Sequence, residues 1–273
     1  MKLRDFRLDL EALFSQSVYG HGYLHYGYWQ NGNPPIASLE SLGKAQADYF
    51  DKLVEKIPAD VTSILDVGSG TGSNAFGLLE KGFTVDCVCP SANLNKIASQ
   101  KLPESVKIHE CKFEDFNSKK NYDVSIFAES FHYIQADIAL KKGLEYANKH
   151  LLIFDYFRKE DSKNTQRISH PQFLQLINDI NSQSDHQSYE IVYDEDVTDK
   201  IVPTFFVLDT ISNEYIKPFI QTAVTRFKKE HPVYNFLFGK FLKKIHYFGY
   251  KKSISHERFL AKYEYRMILL SIK

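Results

Sequence analysis

The chain has 273 residues, 43% hydrophobic and 25% charged, which fits a globular protein built as one large domain or one domain with an insertion. Lysine plus arginine and aspartate plus glutamate balance at 34 each, so no overall field draws it to nucleic acid or to an acidic partner. Three cysteines, Cys87, Cys89 and Cys111, are too few for a disulfide framework, and a C-x-C pair without further ligands is a poor metal site; no metal is expected.

The N-terminal run MKLRDFRLDLEALF mixes charges into its apolar positions and lacks the apolar core of a secretion signal. No stretch has the length of a membrane span, and the cytoplasm is the expected location. Phe6, Leu10, Leu13 and Phe14 fall on one face of a short helix. A loop dense in rings and glycines follows, from Tyr19 to Trp29, and then a second helix over 39–57, ended by Pro58. Rings between flexible hinges suit a lid that excludes water and stacks on flat or cationic groups. The plainer alternative is tyrosine-rich packing.

After residue 60 the pattern alternates. Strands are predicted over 63–67, 83–89, 106–111, 122–128, 151–156, 189–193 and 265–272, and helices over 73–81, 93–101, 136–149 and 171–181. The first five strands are short and rich in Val, Ile and Phe, as strands covered on both faces are. Strand–helix alternation predicts a doubly wound, Rossmann-like α/β sheet of seven strands. The expected division is an N-terminal helical and lid segment over 1–58, a ligand-binding core over 59–203, a helical cap over 204–250 and the last core strand over 251–273.

The first strand runs through Asp66 into Gly68-Ser69-Gly70-Thr71-Gly72 and on into a helix. Glycines at alternate positions let the chain turn sharply and let a ligand approach without a Cβ in the way, beyond the carboxyl end of a strand where open α/β sheets bind ligands. Ser73 occupies the third glycine position of a dinucleotide fingerprint, and no P-loop pattern is present. The loop suits a phosphate-free zwitterion, such as an amino acid linked to a nucleoside.

The fourth strand ends in Glu129-Ser130-Phe131-His132-Tyr133 and the fifth in Asp155. Neighbouring parallel strands present these ends to one crevice, so His132 and Asp155 form a candidate base pair; a histidine suits removal of a proton from a hydroxyl during alkylation. Further on, the stripe Tyr234, Leu237, Phe238, Phe241, Leu242 and Ile245 has helical spacing and is flanked by Lys240, Lys243 and Lys244. That helix is either a cap whose Phe238 and Phe241 roof an acceptor pocket, or a surface for peripheral contact with anionic membrane.

Asp66-Val-Gly-Ser-Gly-Thr-Gly resembles motif I of the class I S-adenosylmethionine-dependent methyltransferases, over roughly residues 20–200 and the last strand. The resemblance implies S-adenosyl-L-methionine as cofactor. Gly68 and Gly70 would lie under its methionine part and Asp66 would order the loop, with Ser69, Gly72, Phe113, Glu114 and Ala128 completing the site. It departs from the family at the end of the second strand, where Cys89-Pro90-Ser91 stands in place of a ribose-binding acid, and at Lys112, where an acid near the adenine is common. Ser91 or Asn93 would substitute, and weaker cofactor binding is implied. Leu24-His25-Tyr26-Gly27-Tyr28-Trp29 is similar to the segment that closes over the cofactor in tocopherol, sugar and related small-molecule methyltransferases, which points to Tyr19, Tyr26 and Trp29. Glu129-Ser130-Phe131-His132-Tyr133 is similar to the ESLHH motif of sugar and natural-product O-methyltransferases, whose histidine pairs with an aspartate of the fifth strand; this implies His132 and Asp155 as catalytic residues and Tyr133 in the substrate pocket. The expected activity is O-methylation of a small, partly apolar acceptor. N- or C-methylation and a cyclopropane-synthase-like reaction are the alternatives, and a non-catalytic binder of the cofactor comes after them. The sequence leaves the oligomeric state open.

Overall fold

The computed structural model describes residues 22–30, 36–161, 163, 166–183, 187–230 and 256–273. The predicted helix of Phe6 to Phe14, Tyr19 and the stripe carrying Phe238 and Phe241 lie outside them.

Helix α1, Leu39–Glu55, starts where Ser38 and Ser41 cap each other's backbone amides at 3.1 Å. Its buried face, Leu42, Ala45, Gln46, Tyr49, Phe50 and Leu53, has the spacing of one helical stripe. There follow β1 (Ser63–Val67), α2 (Ser73–Glu80), β2 (Thr84–Val88), α3 (Ala92–Lys101), β3 (Ile108–His109), β4 (Tyr122–Ala128), α4 (Ala136–Tyr146), β5 (Ala147–Arg158), α5 (His170–Gln183) and β6 (Tyr189–Asp196). A short α6 (Thr198–Ile201) leads into α7 (Pro203–Ile211), which continues through a π turn, Ser212–Ile216, into α8 (Lys217–Glu230); α9 (His256–Lys262) and β7 (Tyr263–Ile272) close the chain.

The seven strands form one sheet in the order β3-β2-β1-β4-β5-β7-β6. β1 to β5 pair in parallel, and β7 runs antiparallel between β5 and β6. The order reverses between β1 and β4, which puts the crevice at the carboxyl ends of these strands. One face is covered by α1, α2, α3 and α7 around Tyr49, Leu53, Leu78, Ala98 and Phe205. The other is covered by α4 and α5 around Leu140, Phe173 and Ile177. Each fully buried side chain of Leu or Phe size contributes about 1.5–3 kcal/mol.

Two predicted elements change. The helix expected over 136–149 ends at Tyr146, and β5 begins at Ala147 because that residue already pairs with Tyr122 of β4. β3 keeps two of its six expected residues, since it is an edge strand paired on one side alone.

Candidate active site

The glycine loop is backbone geometry first. Gly68, Gly70 and Gly72 all have left-handed φ, of 80°, 56° and 74°. At Gly68 an added Cβ would lie 2.3 Å from Cβ of Ser130, so both the conformation and the close approach of the β4 end exclude a side chain. Gly70 has Leu24 over it, 3.3 Å from where a Cβ would stand. The loop is tied to the sheet by Gly68 N–H, which donates to Val88 O at 2.7 Å, and by Ser69 N–H to the same oxygen at 3.3 Å. Thr71 Oγ1 donates to Gly22 O at 2.6 Å, which fixes the start of the aromatic segment beside the loop.

Asp66, 2% exposed, points to the α1–α2–α3 side of the sheet. Burial alone raises its pKa to about 7. Its Oδ2 has no hydrogen-bond partner among the described residues. An orphaned carboxyl oxygen under a glycine loop fits the ammonium donor of a bound amino-acid moiety. The nucleoside end is built differently. The Cys89 thiol is buried against Leu94 and Leu24, and burial pushes its pKa up, so it remains a neutral thiol. Ser91 Oγ caps α3 through Leu94 N–H at 3.4 Å. Phe113 turns its ring into the core against Phe116 and Phe127. Lys112 is exposed and Glu114 is half-buried. Ala128, at the end of β4, is half-buried over the first core.

At the ends of β4 and β5, His132 Nδ1 lies 2.8 Å from Asp155 Oδ1. Asp155 is fully buried and His132 is 6% exposed. The carboxylate also accepts the backbone N–H groups of His132 at 3.2 Å and of Tyr156 at 2.7 Å. Because Nδ1 faces a carboxylate, it carries a proton, which leaves Nε2 as the ring nitrogen turned to other partners. The imidazole is bracketed by Tyr133, at 3.9 Å between ring centroids, and by Tyr156, at 4.3 Å. Tyr156 in turn packs edge-on against Phe259 of α9 and Tyr263 of β7, and Phe205 of α7 bridges Phe259 and Tyr26.

The aromatic segment divides. Tyr26 sends its ring between Phe205 and Tyr265, on the side of the His132 cleft. Trp29, expected at the cofactor, is instead spent on packing: its ring sits among Leu42, Ala45, Val207 and Ile211, and its Nε1 donates to Thr204 Oγ1 at 2.9 Å. The plainer reading of the loop holds for this residue, since an indole with its N–H satisfied between α1 and α7 is an anchor. Sequence reasoning missed Tyr156, Phe205 and Phe259, which lie in three separate elements and share no spacing signal. It also passed over Glu129, whose position inside the ES-F-H-Y stretch was visible.

Residues 64–151 match the family model of the methyltransferase domain. An uncharacterized methyltransferase of Bacillus mycoides strain KBAB4 is 29% identical over 145 residues, 50% of this chain and 68% of that protein. Among solved structures, the 4+2 cyclase SpnF superposes with a TM-score of 0.68 at 17% identity, over 98% of this chain and 94% of its own. Geranyl diphosphate C-methyltransferase of Streptomyces coelicolor A3(2), holding S-adenosyl-L-homocysteine, gives 0.66 at 13% identity over 99% and 98%. An O-methyltransferase of a trans-AT polyketide synthase of Brevibacillus brevis, also with S-adenosyl-L-homocysteine, gives 0.63 at 17% over 91% and 84%. At such identities the structures share the fold. The matched span holds the glycine loop, β2 to β4 and most of β1, so the similarity falls on the candidate site itself. Over that span the sequence is similar to methyltransferases, and the fold is the one shared by the methyltransferase structures above.

Proposed function

We propose that the protein transfers the methyl group of S-adenosyl-L-methionine to a hydroxyl of a small, partly apolar acceptor, with His132 as general base. The observation that carries this is the buried 2.8 Å contact of His132 Nδ1 with Asp155. Neighbours of the same fold methylate carbon as well as oxygen, so the fold does not choose the acceptor atom; a histidine oriented by a carboxylate favours oxygen.

When bound, the cofactor supplies an electrophilic methyl group on a sulfonium. Asp66 and the backbone of Gly68, Ser69, Gly70 and Gly72 would hold its amino-acid end, while Cys89, Ser91, Phe113, Glu114 and Ala128 would line the nucleoside end. His132 Nε2 takes the acceptor's proton as the oxygen attacks. Asp155 keeps Nδ1 protonated and offsets the charge that forms on the ring. Tyr133, Tyr156, Phe205 and Phe259 exclude water and offer an apolar wall to the acceptor.

Replacing His132 by alanine should lower kcat by roughly 100-fold or more, and S-adenosyl-L-homocysteine affinity by calorimetry should stay within about twofold. Labelled methyl transfer to a panel of phenols, sugars and hydroxy acids reads the rate. An undiminished rate overturns the base assignment and points to an amine or thiol acceptor.

A further inference from the structure

Among the described residues Glu129 is the one non-glycine residue with a left-handed backbone, at φ 54°. Such a conformation is uncommon outside glycine, asparagine and aspartate, and it persists where surrounding contacts over-determine it. Here the contacts are specific. Oε1 of Glu129 accepts the backbone N–H of Tyr26 at 2.7 Å and the hydroxyl of Tyr265 at 2.8 Å. The Tyr265 hydroxyl lies 3.2 Å from that of Tyr49, which donates to Phe154 O at 3.0 Å. Glu129 N–H donates to the same Phe154 carbonyl at 2.9 Å. Glu129 therefore reaches the aromatic segment and β7 through its carboxylate and β5 through its backbone N–H, at Phe154, the residue before Asp155; Glu129 itself stands three before His132 on its own turn. Burial, and after it the Glu129 charge, hold the Tyr265 phenol well above its usual pKa, so the phenol acts as a donor to this oxygen.

We propose that Glu129 is a positioning residue, a latch that fixes the aromatic segment over the reaction cleft by gripping the Tyr26 amide and referring it to the strand ends that carry His132 and Asp155. The rest of the segment is held by other elements. Gly22 O goes to Thr71, Gly27 N–H to Thr204 Oγ1 at 3.0 Å, Tyr28 N–H to Ala45 O at 2.8 Å and Trp29 N–H to Lys200 O at 2.8 Å. Between these anchors the register of Tyr26, whose ring lines the cleft beside Phe205, is set by Glu129.

The latch as such rests on geometry, while its effect on turnover rests on the methyltransferase reading, and the test separates them. Amide hydrogen exchange of the full chain is compared for wild type, Glu129→Gln, Glu129→Gly and Glu129→Ala. Glycine adopts the left-handed turn without strain, so it keeps the turn and removes the latch; glutamine keeps an oxygen acceptor. Exchange at the Tyr26 amide should rise at least about tenfold in the glycine and alanine variants and less than about threefold in the glutamine variant. The Tyr28 and Trp29 amides, held by Ala45 and Lys200, should stay as slow as in wild type. S-adenosyl-L-homocysteine should bind the glycine variant roughly tenfold more weakly, and glutamine should restore most of the affinity. A glycine variant with wild-type exchange at Tyr26 overturns the latch, as does a uniform rise over residues 26–29, which would make the role purely structural. If wild type binds no S-adenosyl-L-homocysteine, the cofactor reading fails, and exchange at Tyr26 still decides the latch.

Discussion

Replacing Asp66 by asparagine should stabilise the unliganded protein at neutral and alkaline pH while weakening cofactor binding. The Asp66 carboxyl is buried with one oxygen unpartnered, and burial raises its pKa from 3.8 to about 7. A carboxyl that holds its proton more tightly when folded favours the folded state at low pH. That advantage is whole below pH 3.8 and is lost progressively as pH rises to about 7. At about 1.36 kcal/mol per pH unit, the loss is at most about 4 kcal/mol above pH 7, of which about 2.5 kcal/mol falls between pH 5 and pH 8. Asparagine has the same shape and no such dependence. Groups that titrate alike in both proteins cancel in the difference, so the gap in melting temperature between variant and wild type should widen by roughly 4–5 °C from pH 5 to pH 8. Scanning calorimetry at the two pH values, without ligand, measures it. A gap that is the same at both, or that narrows as pH rises, refutes the reasoning: the carboxylate would then be ionised and satisfied in the fold. Calorimetry with S-adenosyl-L-homocysteine should meanwhile show weaker binding to the variant.

Gly68→Ala combines a left-handed backbone with a Cβ 2.3 Å from Ser130, and it should cost about 2–4 kcal/mol in urea unfolding; a change below about 0.5 kcal/mol would show that the β4 end gives way freely. Asp155→Asn offers the imidazole a neutral partner in place of the buried carboxylate, and kcat should fall by roughly 100-fold with S-adenosyl-L-homocysteine affinity unchanged. A rate within about threefold of wild type would remove Asp155 from the catalytic pair.

Features confined to one element were legible before the fold was. The run from Ile64 to Gly72 declares strand, turn and helix by residue type alone, and β1 and β4 occupy the predicted residues, Ser63–Val67 and Tyr122–Ala128. Side-chain periods of 2 and 3.6 are local properties, which is why a doubly wound seven-stranded sheet with its crevice at the carboxyl ends could be anticipated from alternation, while the strand order could not. What depended on a partner in space was not legible. The stretch 147–149 reads as helix and becomes strand because Ala147 meets Tyr122 across the sheet. Trp29 reads as a cofactor residue and becomes an anchor because Thr204, 175 residues away, offers its indole an acceptor. Phe205, Tyr156 and Phe259 gather around the cleft from three elements with no shared spacing. His132 and Asp155 lie between these cases. Their residue types and strand ends were visible, and their 2.8 Å contact was fixed by the β4–β5 register, in which Ala128 stands beside Phe154. Register is set by packing of the two sheet faces over the whole core, and no local run of residues encodes it.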